Sequence, residues 1–240
     1  MEKNLNVWTY WQGPMPEYIK ICIETMRRHC DNFTLLTPHN INDYVCNSPL
    51  NTTHCKRLSN PAHLADVYRV AVIFNHGGLW LDCDTIMINN VSNFKSVFIS
   101  YPDGFFYSRW NDSRVLNGYF YATKENPLME DWLYKINRLL KMPSLKNSWT
   151  QFGEKILTPL VNSGMYNTIE ISRSIFLPIN IDKIPWLFFE PFHWSNFIAD
   201  DTIAIGLNNS WFRDHVPEFI NSIEPWNGDA LINQLLNEMR

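Results

Sequence analysis

At 240 residues and 28.3 kDa, with 45% hydrophobic and 18% charged residues, the chain has enough apolar material for one large core, which excludes disordered, collagenous and fibrous classes. A net charge of −4, a pI near 6.0 and scattered Lys and Arg exclude the broad basic footprint of a nucleic-acid or anionic-membrane binder. Ten Trp, ten Tyr and fifteen Phe stand against nine Gly, an aromatic load that asks for an explanation.

Val7 to Trp11 is a β-branched and aromatic run stopped by Gly13, Pro14 and Pro16, and reads as a first strand. From Glu17 to His29 apolar residues recur at three and four, with Arg27, Arg28 and His29 where a helix C-terminus favours them. Phe33 to Thr37 reads as a second strand closed by Pro38. Asn60 and Pro61 are a cap and a first-turn proline for a helix that Gly77 and Gly78 stop. Leu79 to Ile88 is expected to be one buried strand, apolar except for Asp82 and Asp84, whose spacing puts both carboxylates on one side. Further strands are expected within 96–107, over 115–122 and over 203–207, and helices over 126–140, 149–161 and 229–239. Strand, helix, strand at this pace is an α/β pattern, and one domain is expected.

The five cysteines are odd in number and lack CxxC spacing, so free thiols are expected. No run approaches the ~18 apolar residues of a membrane span, and a cytoplasmic location is expected.

Two carboxylates converging on one strand face must share a proton or bind a cation, and oxygen ligands suit Mg²⁺ or Mn²⁺. Alone, an Asp-x-Asp arises often by chance. Here it follows Asp66-x-x-Arg69, an acid and a base one helical turn apart, and Gly77-Gly78-Leu79-Trp80-Leu81. This combination resembles the retaining glycosyltransferases with an Asp-x-Asp motif, typified by capsular-polysaccharide-synthesis enzymes and initiating mannosyltransferases, with the glucosylating clostridial toxins as distant relatives. The match is specific over Ala65 to Ile86, and Val7 to Gly13, Asn117-Gly118 and Asn126-Pro127 also resemble the capsular subgroup.

The resemblance implies a GT-A fold, a Rossmann-like nucleotide-binding mixed sheet flanked by helices. Residues 1–125 would form the nucleotide-sugar part and 126–240 the acceptor side. It further implies Mn²⁺ or Mg²⁺, a nucleotide-sugar donor with UDP favoured, and a glycan acceptor. By position, Asp84 would ligate the metal, Asp82 would contact ribose or metal-bound water, and Asp66 with Arg69 would bind donor-sugar hydroxyls. Trp8, Thr9 and Tyr10 would cradle the base, with Trp80 close to the nucleotide and Asn117 either a turn residue or a donor contact. Asn208, Ser210 and Trp211 would complete the metal and pyrophosphate site, although Gly206 stands where many relatives carry a His.

Retention is expected, with the metal and Arg69 neutralising the leaving diphosphate. Inversion would need a carboxylate base, for which Asp103, Glu190, Asp200 and Asp201 are available. The competing classes are a non-catalytic carbohydrate-binding protein, which needs no paired acids and Arg, and an Asp-x-Asp phosphatase, which places its Thr two residues after the second Asp, where Thr85 here follows directly. Against each assignment stands a plainer one: Asp66 and Arg69 as a surface ion pair, and Trp8 and Tyr10 as core.

Overall fold

Short β-branched runs and helical periodicity alternate through the computed structural model, which describes residues 5–94, 97–98, 100–101, 103–144, 148–189, 194–209 and 234. In chain order come β1 (Asn6–Tyr10), α1 (Glu17–His29), β2 (Asn32–Leu36), α2 (Ile41–Val45), α3 (Thr52–Cys55) and α4 (Pro61–His76). There follow β3 (Gly78–Leu81), β4 (Thr85–Met87), β5 (Phe105–Arg109), β6 (Val115–Ala122) and α5 (Pro127–Lys141). The last are α6 (Glu154–Asn162), β7 (Thr168–Glu170), the single-turn α7 (Trp186–Phe189) and β8 (Ala204–Gly206). The expected 229–239 helix lies outside the described residues apart from Gln234.

Two compact units divide the chain. The first, drawn from Met1–Gly13, Asp31–Asp82 and Phe94–Ile171, holds a six-stranded mixed sheet in the order β2-β1-β3-β6-β5-β7. β1 runs parallel to β2 and β3, β6 is antiparallel to β3 and β5, and β7 is parallel to β5. Register places Trp8 opposite Trp80, Trp80 opposite Phe120 and Phe120 opposite Tyr107, an aromatic row across four strands. This row joins Val67, Val70 and Ala71 of α4 and Leu128, Trp132 and Ile136 of α5 in one core, which non-directional burial of apolar area stabilises. On the opposite face Phe98 stacks on Tyr121 and meets Phe106 edge-on.

Local chemistry sets the helix ends. Asn60 Oδ1 accepts from the Ala62 amide at 2.9 Å, and Asn126 Oδ1 from the Leu128 amide at 3.0 Å, each before a first-turn proline. Gly77 closes α4 at φ +66, and Gly78, at φ +116, lets β3 run beside β1, since a Cβ there would lie 2.4 Å from the Asn6 carbonyl oxygen.

The second unit, drawn from Pro14–Cys30, Cys83–Asn93 and Ser172–Arg240, contains α1 and a two-stranded sheet of β4 and β8. Thr25 of α1, fully enclosed, accepts the Met87 amide at 3.0 Å.

Several expectations shift. The single strand over 79–88 is two: β3 ends at Leu81, and β4 pairs antiparallel with β8, Thr85 opposite Gly206. Asp82 and Asp84 therefore lie in the break and not on a strand face; uniform apolarity gave no sign of where pairing changes partner. The helix expected from Trp149 starts at Glu154, because residues 149–153 form turns. None of the five cysteines forms a disulfide.

Candidate active site

In the first unit, α4 presents Asp66 and Arg69 one turn apart, both more than nine-tenths buried. The Arg69 guanidinium links two acids: Nη2 lies 3.1 Å from Asp66 Oδ1 and 3.1 Å from Asp82 Oδ1. Its Nη1 donates to the Asn117 carbonyl, and its plane lies over Trp80, 5.2 Å from ring centroid to Cζ. Asn117 Nδ2 donates to Asp66 Oδ1 at 2.8 Å, and Trp80 Nε1 to Asp82 Oδ1 at 3.0 Å. The Asp82 amide donates to the Gly118 carbonyl at 2.9 Å, and a Cβ at Gly118 would meet Asp82 Oδ2 at 2.4 Å. A glycine is thus what lets the carboxylate lie against β6. Trp80, expected beneath the motif or close to the nucleotide, does a positioning job in the structure.

Burial dominates the Asp66 carboxyl and pushes its pKa up to about 7. Arg69 opposes the rise, the Asp82 and Glu154 charges add to it, and the Asn117 hydrogen bond lowers it. Buried ion pairs of this kind contribute little net stability, so the arrangement points to a site more than to a structural tie.

Glu154 escaped sequence reading, since a 149–161 helix makes it one more surface acid; Gly153 inside that pattern was the available signal. It is buried, accepts from Trp110 Nε1 at 2.5 Å and pairs with Arg114 Nη1 at 2.5 Å. Gly153 packs against Asn117, where a Cβ would come 2.1 Å from Nδ2. Two buried polar atoms nearby in sequence, His63 Nε2 one turn before Asp66 and Gln151 Oε1, have no hydrogen-bond partner among the described residues.

Trp8, Thr9 and Tyr10 lie inside this unit, at most 5% exposed. Trp8 Nε1 donates to the Gly77 carbonyl at 2.9 Å and its ring meets Tyr44 edge-on; Tyr10 packs on Tyr68 and donates its hydroxyl to Gln12. Burial and Tyr68 raise the Tyr10 pKa well above a phenol's ordinary value. Thr9 Oγ1 is buried without a partner among the described residues. Asp103, Asp200 and Asp201, the candidate bases, are exposed, and Glu190 lies outside the described residues.

In the second unit Asp84 is 7% exposed. Its carbonyl accepts the Leu207 amide at 2.8 Å, its Oδ2 accepts the Asn209 amide, and the Asn209 side chain accepts the buried Tyr18 hydroxyl. Asn208 adopts a left-handed φ of +54 beside this amide. The Asp84 charge adds to burial in raising the Cys22 thiol pKa. Ser210 and Trp211 lie outside the described residues. Among the described residues no three His, Cys, Asp or Glu gather as a metal cage. A buried carboxylate with one oxygen on a backbone amide fits a hard cation shared with ligand phosphates, the usual Mg²⁺ arrangement.

Fold and cluster define a mixed α/β protein in which one guanidinium ties two acids. The chain belongs to the capsular polysaccharide synthesis protein family, whose profile matches residues 1–138. Its fold is similar to that of PaToxG glycosyltransferase, with a TM-score of 0.52 and 15% identity, covering 68% of this chain and 70% of that one. A transferase mutant is more remote, at a TM-score of 0.33 and 11% identity over 68% of this chain and 72% of that one, and supports no conclusion. No protein with a curated description matches significantly. Among the described residues no helix is long and apolar enough to cross a membrane.

Proposed function

We propose that the protein transfers a sugar from a nucleotide-sugar donor, a UDP-sugar, to a hydroxyl of a glycan acceptor in surface polysaccharide synthesis, with retention at the anomeric carbon and with Mn²⁺ or Mg²⁺. The observation that carries this is the cluster in which the buried Arg69 guanidinium holds the buried Asp66 and the half-buried Asp82 together. Carboxylates fixed in this way offer oxygens to sugar hydroxyls without reorganising as the ligand arrives.

Asp84 would hold the cation, with Asn208 as a further oxygen donor, and the bound ion would neutralise charge gathering on the departing diphosphate. Arg69 is committed to two carboxylates and a carbonyl, so its task is to fix Asp66 and Asp82 against the sugar. Asp66 and Asn117 orient the sugar, and Trp80 keeps Asp82 turned toward it. The acceptor hydroxyl attacks from the face the diphosphate leaves, and a diphosphate oxygen takes its proton. Glu154 is engaged by Trp110 and Arg114, and Asp103, Asp200 and Asp201 are exposed, which supports retention over base-assisted inversion.

The test is a screen of UDP- and GDP-sugars with Mn²⁺ for donor hydrolysis, on wild type, Asp66→Asn and Asp84→Asn. One donor is expected to be hydrolysed, with a loss of about a hundredfold in each variant. Binding without turnover would move the protein to the carbohydrate-binding class, and a transfer product of opposite anomeric configuration by NMR would exclude retention.

A further inference from the structure

We infer that Trp110 and Arg114 form an acceptor subsite that takes a neutral pyranose ring; the inference rests on the donor reading for its place in the reaction, but not for binding. The turn joining β5 to β6 is tied at several points. The Trp110 amide donates to the Arg114 carbonyl at 2.9 Å, the Ser113 amide to the Trp110 carbonyl at 3.0 Å, and Arg109 Nη1 to the Ser113 carbonyl at 2.7 Å. Ser113 takes a left-handed φ of +69 to close it.

Two side chains of this turn converge on one buried acid. Trp110 Nε1 bonds Glu154 Oε1 and Arg114 Nη1 bonds Glu154 Oε2, both at 2.5 Å. The indole is therefore fixed by its polar edge. Among the described residues no aromatic ring or cation packs on it, although Trp8, Trp80 and Trp132 are buried in the core. The Arg114 side chain is 51% exposed; its Nε is taken by Asp112 and its Nη1 by Glu154, and among the described residues Nη2 meets no acceptor.

An indole face beside an outward guanidinium nitrogen matches a pyranose, which has a C–H face for the ring and hydroxyls for the donor. Location ties this subsite to the donor cluster. Glu154 is near enough for its charge to raise the Asp66 pKa, and Gly153, its neighbour, packs on the Asn117 side chain that bonds Asp66. Glu154 thus joins the residues read as holding the donor sugar to those read as holding the acceptor, and its role is to position Trp110 and Arg114.

The test uses methyl α- and β-glycosides of glucose, galactose, mannose and N-acetylglucosamine as probes, in saturation-transfer NMR without donor and as acceptors with donor and Mn²⁺. At least one glycoside is expected to give signals with wild type, and Trp110→Ala to raise its Kd and acceptor KM about tenfold with little change in kcat. Arg114→Gln, at an exposed side chain, should raise both about threefold and keeps the test open if Trp110→Ala fails to fold. Unchanged Kd and KM in a folded variant, or no glycoside signal with wild type, would overturn the inference. If no nucleotide sugar binds wild type while the glycoside signal still depends on Trp110, the donor reading fails and the saccharide subsite stands.

Discussion

Burial disfavours the charged form of Asp66 more than Arg69 and Asn117 restore it, and the carboxyl titrates near 7 against an ordinary 3.8. Between those values the folded chain holds a proton that the unfolded chain has released, so this residue's contribution to stability declines as pH rises. The decline runs from about pH 4 to about pH 7 and levels off above, with an upper bound of ~4 kcal/mol for a shift of this size. Asn at the position keeps the shape and does not titrate. Urea unfolding of wild type and Asp66→Asn is therefore expected to show the wild type losing ground to the variant between about pH 4 and about pH 7. A difference that stays flat or reverses would mean that the carboxyl is not held above its ordinary range. Charge on Asp66 is thus a cost in the free protein that a bound hydroxyl donor can offset.

Elements whose ends are set by local chemistry were legible from sequence. Asn60-Pro61 and Asn126-Pro127 cap helices by bonds to residues two positions on, and Gly77-Gly78 ends α4 through its own torsions. The pairing of Asp66 with Arg69 was legible for a similar reason, as helix spacing fixes it, whereas Asp82 was expected to converge with Asp84 and is joined to Arg69 instead. What distant partners decide was not legible. β3 gives way to β4 because β4 pairs with β8, about 120 residues later in the chain, and Glu154 becomes a site neighbour only through Trp110 and Arg114. The same kind of distant contact ties α1 to the loop after β8. The Tyr18 hydroxyl bonds Asn209, and the Asn209 amide bonds Asp84. Partners that orient a metal ligand commonly change affinity by 10- to 100-fold. On the proposal that Asp84 holds the cation, Tyr18→Phe, which keeps the ring and its edge contact with Phe188, should weaken Mn²⁺ binding in the presence of UDP about tenfold by electron paramagnetic resonance. Wild-type affinity in this variant would mean that the tie is structural only.

Across the molecule, the aromatic excess resolves into core first: Trp8, Trp80, Phe120 and Tyr107 form a row through the sheet, and Trp132 packs beneath it. Charge bears on ligand binding more than aromatic content does. The chain carries a net −4, and Arg69 in the cluster is already shared between two carboxylates. On the proposed reading the ligand is an anionic nucleotide diphosphate, which the protein's own field does not attract, and a cation would supply the missing positive charge. Ligand binding should then stabilise the fold only when the metal is present. At a hundredfold excess over Kd the linkage is ~2.7 kcal/mol, or roughly 5–10 °C in melting temperature for a chain of this size. UDP with Mn²⁺ is expected to give a shift of that order, UDP with EDTA little or none. Equal shifts in both would mean that the diphosphate is held by side chains alone, and would remove Asp84 from the site.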